Sequence, residues 1–217
     1  MSPSNFIQSL EKSVNEHGLP GEQAHRLLMP VKRPLSSVAK ANTSHYRESA
    51  VGIVLHPGED AMQCILIKRP SYIGAHGGQI SFPGGKRDAT DIDLEFTARR
   101  ECFEEIALPH THAQLIQPLT EVFIPVSKFS VQPYVFFAED LPELIPDQRE
   151  VEEIIHFDVA HLLHDKNIAT TSIPLQTGLT IKDVPYFDIH GHIVWGATAM
   201  MLAELKVILE RMDKRLF

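Results

Sequence analysis

Phe82-Pro83-Gly84-Gly85 and, further along the chain, Arg100-Glu101-Cys102-Phe103-Glu104-Glu105 are the stretches whose reading decides the fold. The second lies in a helical pattern. Leu94, Ala98, Cys102 and Ile106 recur every four residues, Thr90, Asp91 and Asp93 offer capping and dipole-matched acids, and Pro109 stops the run. The spacing predicts a helix from about Asp93 to Ala107. On it, Glu101 precedes Glu104 and Glu105 by three and four residues, so the three carboxylates share one face. Like charges so placed repel, and a hard divalent cation such as Mg²⁺ or Mn²⁺ is what such an oxygen cluster suits. Arg100, four residues before Glu104, is placed to orient it. A bare acidic run of this kind is more often a solvated helix face. The glycine pair about one helix length upstream shifts that balance. It lets backbone pass close to a ligand, and the Gly85 carbonyl could reach a metal.

Working outward, Val51–Leu55 and Met62–Ile67 read as strands joined by the turn chemistry of residues 56–60. Residues 69–87, rich in glycine and carrying two prolines, read as a loop with little room for regular structure. Strand patterns return at Val122–Ile124, Val131–Phe137 and Ile154–Phe157, and a hairpin at Tyr186–Trp195 turns at Gly191. Helices are expected at residues 4–16, from Phe6, Leu10 and Val14, and from Ala197 to Arg211. Strands bracketing one central helix, with another helix at the end, imply an α/β/α sandwich around a mixed sheet. Residues 1–45 read as an N-terminal helical appendage and 46–217 as the main domain.

The chain has 217 residues and a formal charge of −8, which argues against sequence-independent nucleic-acid binding. No apolar run approaches membrane-helix length, and the N-terminus lacks a signal-peptide pattern, so a cytoplasmic protein without membrane contact is expected. The two cysteines, Cys64 and Cys102, read as small buried hydrophobes rather than a disulfide. Among the twelve histidines, His190 and His192 flank a turn without further ligands at zinc spacing. Phe187 and Trp195 read as core packing.

The glycine pair, Asp91 and the Arg100–Glu105 run together resemble the signature of the Nudix hydrolases. Asp91 stands where glutamate is usual, the gap from Asp91 to Arg100 is one residue longer, and Ala107 replaces the usual glycine after the acids. The resemblance implies that Glu101 and Glu105 hold the metal most directly, with Glu104 assisting and Arg100 orienting. It also implies a general base that is either a box glutamate or an acid from a later loop, for which Glu150 is the candidate. Ile65-Leu66-Ile67-Lys68-Arg69, Gly78 and Phe82-Pro83-Gly84-Gly85 further resemble the motif upstream of this signature in coenzyme A pyrophosphatases. So do Val184-Pro185-Tyr186-Phe187 and the run Ile193–Ala199. That branch implies substrate contacts at Arg69, Gly78, Phe82, Gly84 and Gly85. Pro70 and Gly74 depart from the motif, Gly74 where an arginine is usual. Other nucleoside diphosphate derivatives, such as ADP-ribose or a dinucleotide, therefore stay open as substrates. A catalytically silent sensing module is the reading from a different class. The expected partner is a small nucleotide; a homodimer is compatible with the sequence.

Overall fold

The computed structural model describes residues 3–30, 33–71, 77–174 and 178–217. The chain begins with helix α1 (Pro3–His17) and two short helices, α2 (Glu22–His25) and α3 (Ser36–Ala41). Strands β1 (Arg47–Pro57) and β2 (Met62–Lys68) form an antiparallel pair, closed by the Gly58 N–H donating to the Ala61 carbonyl at 2.8 Å. Two short strands follow, β3 (Ile80–Ser81) and β4 (Gly84–Lys86), then helix α4 (Leu94–Ile106). Next come β5 (Gln114–Pro118), β6 (Val122–Ile124), β7 (Phe129–Phe137), β8 (Glu153–Asp158) and β9 (Ile168–Pro174). The hairpin β10 (Thr180–Ile189) and β11 (His192–Trp195) leads into helix α5 (Gly196–Glu210).

The larger sheet runs β3-β2-β1-β7-β5, with β4 paired to β1, β6 to β7 and β8 to β2. Its pairs are antiparallel except β1 with β7, which lie parallel from Arg47/Phe129 to Leu55/Phe137, so the sheet is mixed. A smaller sheet, β11-β10-β9, lies beside it.

Both faces of β1 are covered, which is why it reads as a continuous apolar run rather than an alternating one. Ile53 and Leu55 belong to one core cluster with α1 and α5; Ala50 and Val54 belong to another with Ala98, Cys102 and Ile106 of α4. The sheet is thus sandwiched between α4 on one side and α5 with α1 on the other, the expected α/β/α arrangement.

Several expectations change in detail. Residues 69–87 are not wholly irregular, because β3 and β4 lie there; β3 is only two residues long, and the two glycines of β4 have no side chain to alternate. Gly74 and His76 lie outside the described residues. β5 and β9 carry no strand signal in the sequence, being largely half-buried or exposed and poor in apolar alternation. Leu94 is only half-buried, whereas Thr97, Glu101 and Glu105 are buried beside Ala98, Cys102 and Ile106, so the covered stripe of α4 is wider and more polar than its apolar positions imply. Cys64 and Cys102 are buried and free, as expected.

Candidate active site

Helix α4 sits close on β1 because β1 carries Gly52 at the crossing. A Cβ built there would lie 2.4 Å from Cys102 Sγ, closer than real side chains come. That approach lowers the next turns of α4 onto β4. At Gly85, a Cβ would fall 2.5 Å from the Glu101 carboxylate. The glycine pair and the acid face therefore do converge, as their spacing suggested.

Glu105 is almost fully covered, its side chain 1% exposed. The Gly52 N–H donates to the Pro83 carbonyl at 2.9 Å, and by the alternation of an antiparallel ladder the Gly84 N–H then turns away from β1. Glu105 Oε2 accepts it at 2.7 Å. Arg69 Nη2 donates to Glu105 Oε1 at 3.1 Å and to the Gly84 carbonyl at 3.0 Å. Burial nevertheless dominates, pushing the Glu105 carboxyl up to about 8, with Arg69 and the Gly84 amide offsetting it only in part. Burial also raises Glu101, with Arg100 pulling the other way.

Arg100 organises the remaining acids. Its Nη1 donates to Glu101 Oε1 and to Glu104 Oε2, each at 2.8 Å, while Glu104 stays exposed. Its Nε and Nη2 grip Asp91 Oδ1 and Oδ2, both at 3.0 Å, as a two-pronged charge-assisted pair. Asp91 also accepts from the Thr97 hydroxyl at 2.8 Å and the Asp88 N–H at 2.9 Å. The Arg100 guanidinium accordingly holds the Asp91 carboxyl down at about 2. The aspartate therefore spans the extra residue before Arg100, and Thr97 is a partner the sequence reading missed; its only signal was a polar residue one turn before Glu101.

The other expected residues fall in distinct places. Glu150 is exposed at the end of a segment pinned to the last turn of α4, where the Ile145 and Asp147 N–H groups donate to the Ile106 and Glu105 carbonyls. Its charge is felt by both Glu101 and Glu105. Gly78, at φ 72°, donates its N–H to the Pro70 carbonyl at the base of the loop. Phe82 is 2% exposed within the core, so it anchors the loop from below and offers no ring to a ligand. Gly85 pairs with Ala50 in the β1–β4 ladder.

The donors fit a hard divalent cation chemically: carboxylate oxygens, two of them buried with less counter-charge than burial demands. Among the described residues, no three histidine, cysteine, aspartate or glutamate side chains form a ready-made cage. Arg100 and Arg69 engage the carboxylates instead.

A family profile for the NUDIX domain matches residues 46–175, more than half of the chain. The chain belongs to the Nudix family. A mouse (Mus musculus) protein described as a mitochondrial coenzyme A diphosphatase is 38% identical over 143 residues, covering 62% of this chain and 64% of the relative. Nudix hydrolase 15, mitochondrial, of Arabidopsis thaliana is 31% identical over 163 residues, covering 72% and 56%. The chain thus spans less than two thirds of the length of these relatives. Among solved structures, a Nudix hydrolase from M. smegmatis superposes with a TM-score of 0.54 at 16% identity, over 77% of this chain and 88% of that one, a likeness of fold.

Proposed function

We propose that this Nudix protein is a divalent-metal-dependent hydrolase of the pyrophosphate bond in coenzyme A or its thioesters, giving 3′,5′-ADP and the (acyl-)4′-phosphopantetheine. The observation that carries the hydrolase reading is the pair of buried carboxylates, Glu101 and Glu105, set against the Gly84-Gly85 backbone. The coenzyme A reading rests on the upstream motif around Arg69 and on the description of the mouse relative.

Glu101, Glu105 and Glu104 would hold Mg²⁺ or Mn²⁺; the Gly85 carbonyl, the further donor the sequence suggested, is turned toward Ala50 of β1 by the alternation of the ladder. The cation would supply charge neutralisation on the pyrophosphate oxygens. The chain's own residues do the rest. Asp91 and Thr97 fix Arg100, and Arg100 fixes the directions of Glu101 and Glu104. Gly85 leaves the space beside the Glu101 carboxylate free of a side chain. Water attacks one phosphorus as the other phosphate leaves, and the attacking water passes its proton to Glu150 or to a box glutamate. Glu150 suits that role because it is exposed beside the cluster and tied to α4 through Asp147, whose carbonyl accepts the Glu150 N–H at 2.9 Å. The partner is a small nucleotide, with a homodimer as the assembly to test. Among the described residues no helix is long and apolar enough to cross a membrane. The cytoplasm is our expected compartment, while the two relatives above are described as mitochondrial.

The test is mass spectrometry of products from coenzyme A, ADP-ribose and diadenosine polyphosphates, with and without Mg²⁺ or Mn²⁺. Metal-dependent release of 4′-phosphopantetheine, abolished in Glu105→Gln, is expected. Turnover of only the other compounds would keep the chemistry and discard coenzyme A.

A further inference from the structure

Arg69 is the residue that a phosphate-binding role would claim first, yet its side chain points inward. It follows the last residue of β2, and its backbone N–H donates to the Gln79 carbonyl at 3.0 Å, closing the base of the intervening loop. A terminal guanidinium nitrogen carries two hydrogens. Arg69 Nη2 has two acceptors, the Gly84 carbonyl and Glu105 Oε1, so two of the five guanidinium N–H groups are engaged within the protein. Glu105 Oε2 meanwhile takes the Gly84 N–H. The three residues form a closed ring: arginine to carboxylate, carboxylate to amide, and the same residue's carbonyl back to arginine. Each comes from a different element, the end of β2, the start of β4 and the last turn of α4. Arg69 is also the cation paired with this nearly inaccessible carboxylate.

We propose that Arg69 is a positioning residue for Glu105, locking the plane of its carboxylate and joining it to the base of the loop, rather than a ligand of substrate phosphate. This rests on the hydrolase reading above for its catalytic consequence, but not for the pairing itself. A locked carboxylate matters to the chemical step, whereas a phosphate ligand matters to binding. Lysine would restore the charge without the planar fork, so it should rescue only in part.

Two measurements test it together. In the first, thermal unfolding of the protein without added metal or substrate is followed for Arg69→Ala, Glu105→Gln and the double variant. Removing one partner of a buried pair strands the other, so Arg69→Ala should lower Tm by about 10 °C. Adding Glu105→Gln to Arg69→Ala should cost less than Glu105→Gln costs alone, because the bond it would break is already gone. Strictly additive losses would show that the pair is not coupled and overturn the proposal. In the second, steady-state kinetics should show kcat of Arg69→Lys reduced about tenfold or more with KM changed less than about threefold. A raised KM at unchanged kcat would assign Arg69 to substrate phosphate instead. If Arg69→Ala does not fold, the unfolding cycle is run on Arg69→Lys, with the same non-additivity expected. If the unaltered protein turns over no pyrophosphate, the unfolding cycle still decides the pairing, and only the hydrolase reading falls.

Discussion

Asp91 and Glu105 show how differently one protein can treat two carboxylates. Both are buried, but Asp91 has a two-pronged arginine and two further donors, while Glu105 has one arginine nitrogen and one amide. The first is held near 2 and the second rises to about 8. For Asp91 the linkage has a definite sign. A carboxyl held below its unfolded value stabilises the fold above pH ~4, and that contribution is lost as pH falls towards 2. The drop from the ordinary aspartate value of 3.8 to about 2 corresponds to about 2 kcal/mol. Urea unfolding from pH 5 to pH 2 should therefore show a steeper acid loss in the natural protein than in Asp91→Asn, which is the weaker of the two at pH 5. Parallel curves would mean that the aspartate is not ionised and paired as described. Asp91 was legible in the sequence only as a supporting acid, because its partners Thr97 and Arg100 lie about one and two turns into the helix and only folding shows that they meet.

At the scale of the element, α4 was the most legible part of the chain and the loop before it the least. The helix announces itself by four-residue spacing, an Asp93 cap that accepts the Phe96 N–H at 2.7 Å, and a stop at Pro109. The acid face was legible as well, but not that two of its members are buried, since that depends on Gly52 and Gly85 removing side chains from elements far apart in sequence. The two adjacent glycines of β4 should respond differently to alanine. At Gly84 the new Cβ would meet the Ala50 carbonyl and Val51, both at 2.5 Å, where backbone must move. At Gly85 it meets only the end of a glutamate side chain, which can swing away. Gly84→Ala should therefore lower Tm by several degrees, about 1–3 kcal/mol. Gly85→Ala should leave Tm nearly unchanged yet reduce turnover at least about tenfold, by displacing Glu101. Equal effects of the two on Tm would contradict this geometry. The helix's other end carries a correctable strain. Ala107, which replaces the usual Nudix glycine, sits at φ 56°, with the Leu108 N–H closing back on the Cys102 carbonyl at 3.2 Å. Left-handed backbone costs an alanine about 1 kcal/mol, so Ala107→Gly should stabilise by up to about that amount, read as a rise of a few degrees in Tm.

Across the whole molecule, we read residues 1–45 as an appendage in sequence that shares the core of the Nudix domain. Phe6, Ile7, Leu10 and Val14 of α1 belong to the same buried cluster as Leu202, Leu205 and Leu209 of α5. The joint is polar at one point. Glu204 of α5, fully buried, accepts from the Gly21 N–H at 3.0 Å, His25 Nε2 at 3.1 Å, the Thr120 N–H at 3.0 Å and the Thr120 hydroxyl at 2.6 Å. Burial alone would push its carboxyl up, but these donors together outweigh burial and hold it below the ordinary range. One acid thus fastens the segment after α1 and the turn after β5 to the C-terminal helix. Glu204→Ala strands all four donors at once, which should cost about 3–5 kcal/mol and lower Tm by roughly 10 °C. Hydrogen exchange then asks how far that loss spreads. With one shared apolar cluster, amides of α1 and of β1 should lose protection together, as one cooperative unit. Loss confined to α1, with β1 protected as before, would instead make the first 45 residues a separable layer and their truncation tolerable.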